Sequence, residues 1–592
     1  MREPSEILLQ GRRFCESISG YTLLEDLTWL PVENKWVIKF SLSSSYIPTN
    51  FVPAETSWYA FLSDDYPFGE LSILPAAEGS ITATFPHMNY NTDLAKPWRS
   101  GDICIKTSYG AWKNSYFNSE PFDVSRLQWS VKRSIAWLNA AATGTLQSAG
   151  DPYEFPHFPS RDKKRWAFSE TTASFQTWDT LDEQSGILNF FTPSWNKHLA
   201  VVTDYFGRNG KLLHYQWGTA LNKPLGDQEA ALWFMCPEIP VLPPWQIPMK
   251  WGELFTLCKN KNWNLKSFLE EKLVKQKHLN NIKVLALGFP VATHIGKESE
   301  RIHWFAIRMP GLLKVLKGFR PNTPEWRKAQ FTGMFAGHQS IKWLSAENWA
   351  KDQITTRGTL SGSISELNIC VVGVGAVGSY LTELLIRLGC EKLTLLDDDG
   401  VSIGNFSRHT LTMQSLVYYK AASVAERLNA IFPIVQTKAV NGSLKNTVEG
   451  SPDFLDQFQI VIDCTAEDDV LSTLSRYCRL ESQIVFSVSL GQEAQSLLGF
   501  FNRYPHEDLL AKFEAKSSGW TQRQQETFPN PNFPLEGIGC WHPIFPARID
   551  DVHGLVACTV RRMERFLAGN DSSEMVIIER DAAGTISIQS ET

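Results

Sequence analysis

Along the last third of the chain, short runs rich in apolar residues take turns with stretches whose apolar residues recur at helical spacing. The runs are Leu367–Val372, Lys392–Asp397, Gln459–Asp463 and Ile484–Leu490, and between them lie the helical stretches Ser379–Leu388 and Lys420–Ile431. A strand covered on both faces reads as a continuous apolar run, so the alternation predicts a parallel sheet with helices on its faces. Earlier in the chain the pattern is mixed. It predicts helices at Val124–Ala142 and Trp251–Lys277 and strands at Ile282–Val291 and Ile302–Met309. Two proline-rich stretches, Gly150–Pro159 and Pro237–Pro248, remove backbone donors and exclude helix or central strand. Asn502–Gly539 is long, polar and proline-bearing, and reads as a loop of the kind used for lids and crossovers. A helix at Asp551–Leu567 and a hairpin at Met575–Gln589 follow.

A chain of 592 residues exceeds one core, so several domains are expected. Of its 21 tryptophans, only Trp520 and Trp541 follow position 350, which marks a change of domain there. The expected division is 1–155, 156–342 and 343–592. Hydrophobic residues at 43% and charged residues at 20% are ordinary for a globular protein. A net charge of −6 argues against a nucleic-acid or anionic-membrane surface. The start, Met1-Arg-Glu-Pro, has no apolar signal core, and no uncharged stretch is long enough for a span, so a cytoplasmic location is expected. None of the ten cysteines forms a Cys-x-x-Cys pair, which weighs against structural zinc and a disulfide scaffold. Cys370 and Cys464 fall on or beside buried strands; Cys104 and Cys540 fall in loop-like settings.

Chemistry concentrates after the first run. In Gly373-Val-Gly375-Ala-Val-Gly378, glycines let the backbone turn tightly and approach a phosphate at a helix N-terminus. That turn alone fits a nicotinamide site as well as a nucleoside triphosphate. Asp397, nineteen residues after Gly378, suits a ribose hydroxyl in either case. Asp399, Asn405, Arg408 and Lys420 then follow within 23 residues of Asp397, more polar and cationic groups than a nicotinamide site needs. Two cations there suit a triphosphate cleaved between its α and β phosphorus atoms.

Asp397-Asp-Asp399-Gly-Val401-Ser-Ile-Gly-Asn405-Phe-Ser-Arg408 resembles the Asp-x-Asp-x-Val-x-x-x-Asn-x-x-Arg signature of the ubiquitin-activating, ThiF/MoeB-type adenylyltransferase family. The resemblance implies ATP and Mg as ligands, Asp397 on the ribose, and Asn405, Arg408 and Lys420 on the phosphates. The family usually continues Asp-Cys-Thr-Asp, its last aspartate helping to place magnesium. Here the run is Asp463-Cys-Thr-Ala466-Glu467-Asp468, which leaves Glu467 or Asp468 as candidate metal ligands.

Cys540 stands in Gly537-Ile-Gly-Cys-Trp-His542-Pro, where a thiolate would take an acyl group from an adenylate. Tyr66-Pro-Phe-Gly, Phe85-Pro-His87-Met-Asn89 and Gly101-Asp-Ile-Cys104-Ile resemble, in that order, the core of a ubiquitin-conjugating enzyme. Cys104 is then a second thioester carrier, and Asn89 or His87 would steady the oxyanion. The fold class expected is α/β: a C-terminal doubly wound parallel-sheet (Rossmann-like) adenylation domain, an N-terminal α+β ubiquitin-conjugating-like domain, and a mixed α/β linker.

The order of the two ends resembles the CBASS-associated protein 2 family of bacterial anti-phage operons. That resemblance implies a ligase that conjugates the C-terminus of a cGAS/DncV-like nucleotidyltransferase to target amines such as lysine, and a homodimer. A sulfur-carrier-type adenylyltransferase with an inactive N-terminal domain and a non-catalytic scaffold stay open beside it.

Overall fold

A computed structural model gives the architecture of residues 2–43, 45–106, 119–160, 162–222, 228–276, 281–314, 318–503, 508–529, 533, 535–536, 542–543 and 545–591. The chain divides into two compact units, Met1–Tyr215 with Leu225–Asn348, and Gln216–Pro224 with Trp349–Thr592.

The first unit opens with the helix Glu6–Cys15, whose first turn is capped by Ser5 accepting from the Leu8 amide at 3.3 Å. Four antiparallel strands follow in meander order: β1 (Tyr21–Leu30), β2 (Lys35–Ser43), β3 (Glu55–Leu62) and β4 (Leu71–Pro75). Period-two alternation on β2 sends Trp36, Ile38, Phe40 and Leu42 against the helix Arg126–Thr143, where Trp137 and Leu138 are buried. Val37, on the other face, packs with Tyr59 and Phe61. The expected helix at 124–142 is therefore present, shifted by one or two residues.

The middle of the chain forms eight strands: β5 (Arg165–Phe168), β6 (Ser185–Phe191), β7 (Leu199–Phe206), β8 (Lys211–His214), β9 (Gln228–Met235), β10 (Val284–Val291), β11 (Arg301–Arg308) and β12 (Lys342–Asn348). Their order is β5-β12-β11-β10-β9-β6-β7-β8, and β5 also pairs in parallel with β7. The sheet thus closes on itself through seven strands, which leaves β8 as an appendage and removes open edges. Two expectations change here. The helix expected over 251–277 is broken into Trp251–Asn260, Leu265–Glu270 and a π-helical turn, Glu271–Lys275. Asn262, at φ +60°, takes the left-handed conformation that ends helices. The expected boundary at 343 cuts through β12, which pairs with β11 and β5, so the last domain starts after Asn348.

In the second unit the strands are β13 (Ile369–Val372), β14 (Lys392–Leu396), β15 (Gln436–Val440), β16 (Ile460–Asp463), β17 (Ile484–Leu490), β18 (Ser496–Asn502), the two-residue pair β19 (Leu535–Glu536) and β20 (His542–Pro543), then β21 (Ser573–Arg580) and β22 (Ile586–Glu591). The main sheet runs β15-β14-β13-β16-β17-β18-β21-β22, parallel from β15 to β17 and antiparallel beyond. This is the doubly wound α/β arrangement, with its chain reversal between β13 and β16. The segment expected as a loop, 502–539, instead holds the helix Leu509–Thr527, capped by Asp508 accepting from the Ala511 amide at 3.1 Å. Phe513 and Trp520 seat it on the core through one narrow face.

Candidate functional site

Ligands of open α/β sheets sit beyond the carboxyl ends of the strands where the strand order reverses. Here that point lies between β13 and β16, whose ends carry Gly373 and Cys464. A crevice of about 310 Å³ opens there, bordered by Gly375, Asn405, Arg408, Lys420, Thr465 and Ala466 among others. Gly373 has φ +82°, and a Cβ on it would lie 2.8 Å from Thr465 Cγ2. A Cβ on Gly378 would lie 2.0 Å from the Gly373 carbonyl oxygen, so this glycine lets the helix Ala376–Arg387 close on the turn. Gly375, the N-cap of that helix, differs: a Cβ there meets nothing within 4 Å. The space in front of Gly375 is what a phosphate against the helix N-terminus requires, so the cradle fits a nucleotide.

The turn is held from both sides. Asp397 Oδ2 accepts from the Val374 amide at 2.8 Å, and its Oδ1 accepts from the Asp399 amide at 2.9 Å. Burial pushes the Asp397 carboxyl above its ordinary range. His409 Nε2 lies 2.7 Å from the Val374 carbonyl, and its Nδ1 accepts from the Leu411 amide at 3.2 Å. Those partners place the proton on Nε2. Burial also pulls this imidazole down to about 4, so it is neutral at physiological pH. His409 has no role in the sequence reading; its place directly after Arg408 was the signal available.

The cations are present and already engaged. Lys420, at the start of the helix Lys420–Asn429, donates to Asp399 Oδ2 at 2.6 Å, and its amide donates to the Asp399 carbonyl at 2.9 Å. Arg408 donates through Nη1 to the Phe545 carbonyl. Asn405 Oδ1 accepts from the Ser402 amide at 2.9 Å and caps the 3₁₀ turn Ile403–Ser407. The structure therefore brings Gly375, Asn405, Arg408 and Lys420 to one crevice, with Asp399 as the counter-ion of Lys420.

Asp463 is fully buried and accepts from the Thr465 amide (2.9 Å), Thr465 Oγ1 (2.6 Å) and Ser487 Oγ (2.8 Å), so it braces the β16 turn. Ala466 follows at φ +59°. Glu467 is raised by burial and then by the carboxylates of Asp398, Asp463 and Asp399. Among the described residues no three His, Cys, Asp or Glu converge into a metal cage. A magnesium ion riding on nucleotide phosphates needs only one or two protein carboxylates. Asp468 opens the helix Asp468–Tyr477 and is exposed.

In the first unit Cys104 is exposed and borders a cavity of about 510 Å³ shared with His87, Asn89, Asp102 and Glu154. The segment 102–104 is laced to the turn 87–89: the Cys104 amide donates to the His87 carbonyl at 2.8 Å, and the Asn89 amide to the Asp102 carbonyl at 2.9 Å. Arg133, whose Nε donates to the Ile105 carbonyl at 2.9 Å, attracts the thiolate form of Cys104. The other cysteines among the described residues are unlike it. Cys370 and Cys464 are held as thiols by burial. Cys540, the other expected carrier, lies outside the described residues; β19 and β20 flank it in sequence.

The model of the Cap2 central linker domain family matches residues 144–349, and that of the ThiF family matches residues 352–538. The ATP-dependent ubiquitin transferase-like protein Cap2 of Enterobacter hormaechei subsp. hoffmannii is 30% identical over 540 residues, which cover 88% of each chain. The tRNA threonylcarbamoyladenosine dehydratase of Haemophilus influenzae is 29% identical over 193 residues, 31% of this chain and 71% of that protein. Among solved structures, E. coli MccB with ATP aligns at a TM-score of 0.28 and 12% identity, over 46% of this chain and 72% of that one.

Proposed function

This chain belongs to the Cap2 family of ATP-dependent ubiquitin transferase-like proteins, and on that premise we propose how its two sites divide one conjugation reaction. The family and its ThiF domain make it an ATP-dependent adenylating enzyme of ubiquitin-activating type. In the proposed sequence, the C-terminal carboxylate of a partner protein attacks the α-phosphorus of ATP. An acyl-adenylate forms and pyrophosphate leaves. Arg408 and Lys420 take up the charge that develops on the departing phosphates, and Glu467 or Asp468 would hold the magnesium ion that shares this load. Cys540 displaces AMP to give a thioester, Cys104 receives the acyl group by transthiolation, and a lysine amine completes an isopeptide bond. Both thiols on one chain raise each other's effective concentration, to about millimolar for a flexible tether.

The observation that carries this reading is the crevice at the β13–β16 reversal. Its one glycine with open space, Gly375, stands with Arg408 and Lys420 on the same rim. The partner in this reading is a cGAS/DncV-like nucleotidyltransferase primed for antiviral defence. A homodimer belongs to the same reading, and the second unit leaves the apolar side chains Ile403, Met413, Val417 and Tyr418 exposed, Val417 at 84%.

Intact mass spectrometry of the protein with ATP, magnesium and the partner tests the relay. Cys104→Ala accumulates partner thioester on Cys540, and Cys540→Ala accumulates none on Cys104. Charging of Cys104 in the Cys540→Ala variant overturns the order of transfer. Adenylate formation with Cys104 dispensable supports a sulfur-carrier-type enzyme instead.

A further inference from the structure

The stretch after the helix Arg126–Thr143 runs to the connection between β10 and β11 of the closed middle sheet, where Pro152 and His294 form a single bridge. The Gly150 amide donates to the Ile295 carbonyl at 2.9 Å, the Ile295 amide to the Asp151 carbonyl at 2.8 Å, and the Tyr153 amide to the Thr293 carbonyl at 3.0 Å. Those three bonds fix the strap to the connection between β10 and β11. The next residue, Glu154, turns back to the Cys104 cavity. Its Oε1 accepts from the His87 amide at 3.0 Å, and its Oε2 lies 2.9 Å from His87 Nδ1. One carboxylate therefore accepts a hydrogen bond from the backbone and stands as a charge beside the ring of a single residue.

His87 is an unusual residue to hold this way. Its φ of +55° lies in the left-handed region, which a non-glycine residue keeps only where its surroundings impose it. Glu154 supplies part of that imposition through the amide. His87 in turn fixes the nucleophile, because its carbonyl receives the Cys104 amide. The line of contacts runs from the middle sheet through Glu154 and His87 to Cys104.

We infer that Glu154, at the end of the strap tied to the β10–β11 connection, is a positioning residue for amine attack on the Cys104 thioester, and that it sets His87 to carry the proton. The inference rests on the relay reading above. In the step itself the amine nitrogen bonds to the thioester carbonyl carbon and the carbon–sulfur bond breaks. The proton lost by nitrogen passes by way of the imidazole to the departing Cys104 sulfur, with no change of oxidation state. A carboxylate 2.9 Å from Nδ1 favours a proton on that nitrogen and steadies the ring, which leaves Nε2 to take the proton and pass it on.

The test uses the full chain, pre-charged on Cys104 with partner protein and then chased with free lysine. Glu154→Gln keeps an oxygen for the His87 amide and removes the charge. It is expected to load Cys104 within about twofold of wild type and to discharge about tenfold or more slowly. Glu154→Asp recovers part of that loss, and Glu154→Gln melts at the wild-type temperature. A downfield imidazole N–H resonance, assigned by its absence in His87→Gln, disappears in Glu154→Gln as well. Wild-type discharge by Glu154→Gln, or an equal loss of loading and discharge, overturns the inference. A wild-type protein that never charges Cys104 overturns the relay reading instead, and persistence of the resonance in Glu154→Gln then refutes the Glu154–His87 pairing on its own.

Discussion

Asp102 and Cys104 share one face of an extended segment because Ile103 and Ile105, each 4% exposed, point the other way into the core. Asp102 Oδ1 accepts from the Ile73 amide at 2.9 Å, yet burial, reinforced by Glu70, raises its carboxyl to about 6. An acid raised in the folded state favours folding at low pH, and that advantage is lost as pH climbs from about 4 through 6. Asp102→Asn retains the acceptor and avoids the charge. Its melting temperature relative to wild type should thus rise between pH 4.5 and pH 7.5, checked by differential scanning calorimetry at both. His409→Ala removes the group that holds the Val374 carbonyl. ATP–pyrophosphate exchange should fall about tenfold or more, the effect of one lost positioning hydrogen bond of roughly 1.4 kcal/mol. At this scale the sequence shows which residues carry charge and hides what they touch. Arg408 and Lys420 are legible from spacing alone. The Phe545 carbonyl is 137 positions from Arg408, and no periodicity reports a partner so distant.

Elements are more legible where a single period dominates. The apolar runs at β13, β14, β16 and β17 fall within one or two residues of the expected strands, because strands in the middle of a covered sheet are dominated by apolar residues on both faces. The helix Leu509–Thr527 was hidden for the opposite reason. Only Leu509 and Ser517 are buried along it, so its polar surface resembles that of a loop. Closure of the middle sheet through β5 and β7 depends on three residue pairs far apart in sequence and has no local signature. The glycine turn allows a paired prediction at this scale. Gly378→Ala drives a Cβ into backbone 2.0 Å away and should lower the melting temperature of the second unit. Gly375→Ala meets no protein atom, so it should melt like wild type and lose ATP-induced thermal stabilisation. Melting curves with and without ATP distinguish the two.

On the scale of the molecule, the two units are not consecutive pieces of chain. A short excursion at Gln216–Pro224, between β8 and β9 of the closed sheet, belongs to the second unit. There the Gly218 amide donates to the Pro433 carbonyl at 2.6 Å and the Thr219 amide to the Val435 carbonyl at 2.8 Å. A Cβ on Gly218 would lie 2.3 Å from the Val435 carbonyl oxygen and 2.5 Å from the Ile434 carbonyl carbon. Gly218→Val should therefore destabilise the second unit by about 1–3 kcal/mol, although the position falls within the span of the first. Faster hydrogen exchange at residues 432–436, with β10 and β11 unchanged, is the expected signature. No helix among the described residues is long and apolar enough to cross a membrane.

That stitch also constrains how such a chain can be rearranged by recombination. A crossover near residue 349 would transplant the ATP-handling half while leaving behind nine residues that complete it. Hybrids between divergent relatives should therefore succeed only when the 216–224 stretch travels with the half it serves, and activity across a panel of such chimaeras would reveal which breakpoints inheritance can use.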